Sequence, residues 1–61
     1  GMTYTGYVQN LRLAEAERLL LQTSLSIEQI AGEVGYQNKG YFYRIFSRRH
    51  NMTPAKFRKE H

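Results

Sequence analysis

Apolar side chains recur along this chain at helical spacing, and no stretch alternates apolar and polar residues as a half-buried strand does. The pattern predicts four helices, over about residues 4–22, 27–34, 38–50 and 54–59. Ser26 and Gln29 form a capping-box pattern at the start of the second helix, and Gly35 is suited to end it. We therefore expect an all-α fold: a small bundle of one long helix, two shorter helices joined by a turn, and a short C-terminal helix.

The first predicted helix carries two apolar stripes rather than one, at about 100° per residue. The first stripe consists of Leu13, Ala16 and Leu20, and the second consists of Tyr7, Leu11, Ala14 and Leu21. A helix with two such stripes usually packs against neighbours on two sides, and this chain can supply one of them. We expect the first stripe to pack on the other helices. The second should lie exposed and favour weak self-association through this helix.

Residues 40–50 read GYFYRIFSRRH, in which aromatic and basic residues interleave. On a helical wheel Phe42, Ile45 and Phe46 share one side. The opposite side consists of Gly40, Tyr43, Arg44 and Ser47, with Lys39 and Arg48 at its flanks. Aromatic rings that stack on unpaired bases should share the face of the arginines, and here only Tyr43 does so. The stretch therefore predicts an amphipathic helix with a phenylalanine core side and a cationic outer side.

Charge is distributed unevenly along the chain. Residues 1–35 contain two arginines and four glutamates, a net charge of −2, whereas residues 36–61 contain seven basic residues and one glutamate, a net charge of +6. This basic half indicates an anionic polymer or surface as partner, with a merely solvated basic face as the alternative. The chain has no cysteine, no apolar run of membrane-spanning length and no recognisable signal peptide. We expect a cytoplasmic protein without a membrane partner.

The middle of the chain has the layout of a helix-turn-helix: a short helix, a glycine turn and a second helix with a cationic outer face. Three segments and Tyr7 carry a closer resemblance; they are LRLAEAERLL at 11–20, SIEQIAGEVGY at 26–36 and YFYRIFSRRHNMTPAKFR at 41–58. Together they resemble the second half of the DNA-binding region of AraC-type transcription regulators. The resemblance covers nearly the whole chain. Gly40 and Ser47 depart from the family pattern, which often has serine and lysine there.

This resemblance implies that residues 1–61 form a single helix-turn-helix subdomain of a bacterial transcription regulator. The first helix would then be the linker to an upstream helix-turn-helix unit of the same protein. The function of the subdomain would be sequence-specific binding of double-stranded DNA, with the third helix as the recognition helix in a major groove. The implied DNA-binding residues are Gln37, Asn38, Lys39, Gly40, Tyr43, Arg44, Ser47 and Arg48.

The roles expected of these residues differ. Lys39 and Arg48 are candidate phosphate contacts, and Tyr43 either contacts DNA or shields the edge of the core. Gln37 and Asn38 are candidate helix caps that could also read bases. Arg58 and Lys59 are expected to be solvated, on the side away from the site.

Other classes of function have less support in the sequence. His50 and His61 lack the spacing of metal ligands, and the scattered glutamates form no acid–base pair, so we expect neither an enzyme nor a cofactor. A membrane-surface peptide is disfavoured because the apolar residues are needed for a multi-helix core. The main alternative is a basic helical module that docks on another protein, for example RNA polymerase.

Overall fold

The structure, a computed structural model, describes residues 3–61, and Gly1 and Met2 lie outside it. The described residues form four helices and no strand: α1 (Tyr4–Gln22), α2 (Ile27–Glu33), α3 (Lys39–His50) and α4 (Pro54–Glu60). The predicted all-α fold is confirmed.

Three helix ends differ from the predicted bounds by one residue. Val34 is the C-cap of α2 rather than its last residue, because the chain leaves helical geometry there and enters the left-handed turn at Gly35. Asn38 is the N-cap of α3, with extended backbone and a side chain that accepts a hydrogen bond from the Tyr41 amide. At the other end of the chain, α4 continues to Glu60.

Each helix begins at a polar side chain that caps it. The cap residues are Thr3, Ser26, Asn38 and Thr53, and each side chain accepts from the backbone amide three residues later. At α2 the cap is reciprocal: the Gln29 amide donates to the Ser26 hydroxyl at 3.1 Å, and the Gln29 side chain accepts from the Ser26 amide at 3.0 Å. These bonds satisfy amides that the helix itself leaves without partners, so local sequence determines where each helix starts.

Two residues with positive φ separate the shorter helices. Gly35, at φ 97°, directs the chain from α2 toward α3, and Asn51, at φ 57°, ends α3. Glycine and asparagine are the residues that enter this region at least cost. Gly35 also lies close to α1, since a Cβ atom there would be 3.3 Å from the Arg12 guanidinium.

The core lies where the four helices meet. It consists of Leu13, Ala16, Leu20, Ile30, Ala31, Val34, Tyr36, Phe42, Phe46 and Phe57. The first stripe of α1 is thus buried, as expected. In the second stripe Tyr7, Leu11 and Leu21 are 53%, 54% and 49% exposed, so this face of α1 has no cover within residues 3–61.

The expectation that Arg58 is solvated was wrong. Its Nε donates to the Leu20 carbonyl at 2.9 Å and its Nη2 donates to the Thr23 carbonyl at 3.2 Å. The last turn of α1 has no basic residue of its own, and its carbonyls need donors. Arg58 supplies them from α4 and so fastens α4 to the C-terminal end of α1.

Candidate nucleic-acid interface

The predicted site residues lie on α3 and in the turn before it. Six of them are exposed: Gln37, Asn38, Lys39, Gly40, Arg44 and Arg48. The other two, Tyr43 and Ser47, are half-buried. Phe42 and Phe46 are fully buried on the opposite side, so packing of the aromatic side turns the cationic side of α3 to solvent.

The start of α3 is shaped by Asn38 and Gly40. The side-chain oxygen Oδ1 of Asn38 accepts from the Tyr41 amide at 3.1 Å and is therefore engaged as a helix cap. A Cβ atom on Gly40 would lie 3.2 Å from that oxygen, a tight contact. Glycine leaves room for the cap and brings bare backbone to the surface at the first turn of α3.

The three cations of the outer face differ in their partners. Lys39 Nζ lies 3.7 Å from Glu28 Oε1, and both side chains are mostly exposed. This ion pair therefore contributes little to the stability of the fold, and Lys39 can exchange Glu28 for another anion. Arg44 and Arg48 form no ion pair within the described part of the chain. Both arginines therefore present full positive charge to an anionic ligand.

The two tyrosines near the outer face take unequal positions. Tyr43 packs against the core, with its ring centroid 6.3 Å from that of Phe42, which matches the shielding role among its two predicted alternatives. Tyr41 is 48% exposed and is not among the site residues expected from the sequence. Tyr41 and Arg44 are three residues apart and thus roughly 60° apart around a helix, so helical periodicity alone places Tyr41 beside the outer face of α3.

Side-chain hydrogen bonds and an ion pair also link α3 to α1. The Gln9 amide donates to the Tyr41 hydroxyl at 3.2 Å. Arg49 donates to the Asn10 side chain and lies 3.9 Å from Glu17. These contacts join residues more than 30 positions apart, so sequence patterns could not identify them.

Two other kinds of site have no basis in residues 3–61. No group of three or more histidine, aspartate or glutamate side chains there could hold a metal ion. In the same range, none of the helices combines the length and the apolar character needed to cross a bilayer.

Comparison with known proteins places the chain in a family. Residues 1–60 match the family model described as "Helix-turn-helix domain". The chain is 37% identical over 60 residues to the HTH-type transcriptional activator RhaR of Cronobacter sakazakii, covering 98% of this chain and 21% of that protein. It is 40% identical over 58 residues to the bifunctional transcriptional activator/DNA repair enzyme AdaA of Bacillus subtilis, covering 95% of this chain and 28% of that protein.

A solved structure has the same fold. The C-terminal domain of the two-component response regulator yesN from Fusobacterium nucleatum superposes with a TM-score of 0.91 at 33% identity, covering 95% of this chain and 56% of that one. The chain spans only about a fifth of the length of RhaR, so the match concerns this unit of a longer relative. Sequence, fold and the exposed cationic helix agree: the chain belongs to the helix-turn-helix domain family and is an AraC-type helix-turn-helix region.

Proposed function

We propose that this unit binds double-stranded DNA sequence-specifically as part of a bacterial transcription regulator, with α3 as the recognition helix in a major groove. The observation that carries the proposal is the outer face of α3. Among residues 3–61 it presents Arg44 and Arg48 without acidic partners, opposite the buried Phe42 and Phe46. A helix with its side chains is about 10–12 Å wide, and the major groove, at about 12 Å, admits it.

The side chains on this face suit different parts of DNA. Arg44, near the centre, has the planar donor fork that pairs with the O6 and N7 atoms of guanine. Lys39 and Arg48, toward the flanks, suit phosphate oxygens, which fix the register of a protein on the duplex. The remaining candidate contacts are Gln37, Asn38, Gly40, Tyr43 and Ser47. Among them, Gly40 allows close approach of its backbone.

We further propose that residues 1–61 act as a single helix-turn-helix subdomain without catalytic activity or cofactor. Its DNA partner would place the parent protein in the bacterial cytoplasm. AraC-type relatives such as RhaR and AdaA are several times longer than this chain, which supports a role as one unit of a larger regulator.

The proposal predicts a strong dependence of DNA binding on salt. If the charges of Lys39, Arg44 and Arg48 together displace the counterions of about three phosphates, the logarithm of the binding constant should fall against the logarithm of salt concentration with a slope of about −3. Fluorescence anisotropy of a labelled duplex, titrated with the protein at several salt concentrations, measures this slope.

Heparin, an anionic polymer without bases, is the matched comparison. Tighter binding to duplex DNA than to heparin at equal salt supports a DNA site. A flat salt response, or equal binding to both polymers, would contradict it. The flat salt response in particular would favour the alternative of a basic module that docks on a protein such as RNA polymerase.

We also propose that the exposed stripe of α1 packs on an upstream helix-turn-helix unit of the parent protein. In the isolated chain this stripe should instead cause weak dimerisation, because Tyr7, Leu11 and Leu21 are about half exposed on one helix. Sedimentation equilibrium should detect the dimer at high protein concentration. Leu11→Gln should weaken it.

The control variant for the stripe is Ala55→Gln, which adds the same amide at an exposed position of α4. It should leave the dimer unchanged. A chain that stays monomeric at every concentration, or an equal effect of both variants, would argue against a stripe that seeks a partner.

A further inference from the structure

A cleft of about 240 Å³ lies between the N-terminal half of α1 and the beginning of α3. Gln9 and Arg12 line it from α1, and Tyr36 and Tyr41 line it from the turn and from α3. None of these residues belongs to the DNA-binding set expected from the sequence. The cleft nevertheless borders the outer face of α3, because its lining residue Tyr41 lies roughly 60° around the helix from Arg44.

Arg12 supplies the positive charge of this cleft. Its guanidinium carbon lies 5.3 Å from the centroid of the Tyr36 ring. A Cβ atom added at Gly35 would lie 3.3 Å from the same carbon, so the guanidinium also lies against the glycine turn. It forms no ion pair within residues 3–61, whereas Arg18, the other arginine of α1, pairs with Glu15. The aromatic ring and the glycine turn thus hold Arg12 without neutralising its charge.

Gln9 and Tyr41 add hydrogen-bond donors beside this charge. The Gln9 amide donates to the Tyr41 hydroxyl at 3.2 Å, so the hydroxyl oxygen is occupied as an acceptor. Its proton remains to be donated to another acceptor. A guanidinium and a phenol hydroxyl in one open cleft are groups that bind phosphate oxygens.

The position of the cleft relative to α3 points to the DNA backbone as the source of that phosphate. A helix in the major groove has one phosphate backbone on each side. Lys39, paired with Glu28, lies on the flank of α3 that faces α2. Tyr41, bonded to Gln9, lies on the flank that faces α1. Lys39 is the predicted phosphate contact of the first flank. On the second flank Arg48, which lies beside α1, is the predicted contact toward the C-terminal end of α3, and the cleft would add another near the N-terminal end.

We propose that Arg12, with Gln9 and Tyr41, binds one backbone phosphate of DNA whose major groove holds α3. The inference rests on the proposed function and adds the linker helix to the DNA interface. In this arrangement Arg12 supplies the charge, the Tyr41 hydroxyl supplies a directed hydrogen bond, and Gln9 orients that hydroxyl.

The test compares salt slopes of DNA binding for charge-matched variants. Arg12→Gln should make the slope shallower by about 0.9, the contribution of one phosphate contact. Arg12→Lys should keep the slope of the unaltered chain. Arg18→Gln removes one positive charge from the same helix, but from an exposed arginine already paired with Glu15, and should leave the slope unchanged.

A further variant distinguishes phosphate binding by Arg12 from a purely structural role of its side chain on the Tyr36 ring. Arg12→Met keeps an unbranched side chain over the ring without the charge, and should show the same shallow slope as Arg12→Gln. Melting curves of all variants, followed by circular dichroism, establish that the compared chains are folded. Tyr41→Phe, which removes one donor without changing charge, should weaken binding severalfold at unchanged slope.

The outcomes distinguish the two proposals. If the unaltered chain binds DNA with the steep slope and Arg12→Gln does too, the phosphate site is wrong while the proposed function stands. Equal reductions by Arg12→Gln and Arg18→Gln would mean a general effect of net charge, and would also overturn the site. If the unaltered chain shows no salt-dependent DNA binding, the proposed function fails and this inference fails with it.

Discussion

Replacing Phe46 by alanine is expected to lower the free energy of unfolding by about 3–5 kcal/mol, the usual cost of emptying a buried phenylalanine site. Phe46 is fully buried, and its ring centroid lies 5.8 Å from Phe42, 4.4 Å from His50 and 5.4 Å from Phe57. It therefore joins the residues of α3 to those of α4. A core of this size rarely supplies more than about 3–5 kcal/mol, so the variant should be largely unfolded at room temperature.

Circular dichroism at 222 nm, followed through a thermal melt, measures this loss. Tyr41→Ala is the matched control because it truncates an aromatic side chain on the same helix at a position that is 48% exposed. It should lower Tm far less than Phe46→Ala. A Phe46→Ala variant that melts at the temperature of the unaltered chain would mean that α3 does not hold its aromatic side in the core.

Replacing Arg44 by alanine is expected to lower affinity for a specific DNA site by about 1–3 kcal/mol, which is roughly fivefold to 150-fold, and to relax specificity at one base pair. Arg44 is exposed and forms no ion pair in the described range, so its removal breaks no contact that stabilises the fold. Tm should therefore stay close to that of the unaltered chain. This combination separates a binding residue from a core residue on the same helix.

Anisotropy titrations at fixed salt, on a specific duplex and on a random one, measure the effect. Arg18→Ala removes an arginine of equal charge from α1, away from the outer face of α3, and serves as the control. Affinity that falls equally for the two variants would reduce the role of Arg44 to net charge. An unchanged affinity for Arg44→Ala would remove α3 from the centre of the interface.

The helices, their starts and their buried faces could be predicted from sequence because they depend on neighbours within one or two turns. Ser26 and Gln29 cap α2 through residues three positions apart, and Gly35 enters the left-handed turn through its own backbone freedom. Helical periodicity in the same way separates the buried Phe42 and Phe46 from the exposed Arg44. The choice between an amphipathic helix and a base-stacking surface followed from this local pattern alone.

Tertiary packing decided the roles of residues whose partners are distant in sequence. Arg58 looked like a solvated charge, yet the open carbonyls at the end of α1 lie within its reach only because α4 packs there. Tyr41 and Tyr43 are both aromatic residues on α3, but their surroundings differ. Tyr41 faces α1 and bonds to Gln9, whereas Tyr43 packs against the core beside Phe42. Periodicity reports which side of a helix is apolar, whereas hydrogen bonds across 30 or more residues depend on how the helices are placed. The local sequence thus determined the four helices and the cationic face of α3, whereas the packing of the helices determined the cleft around Arg12.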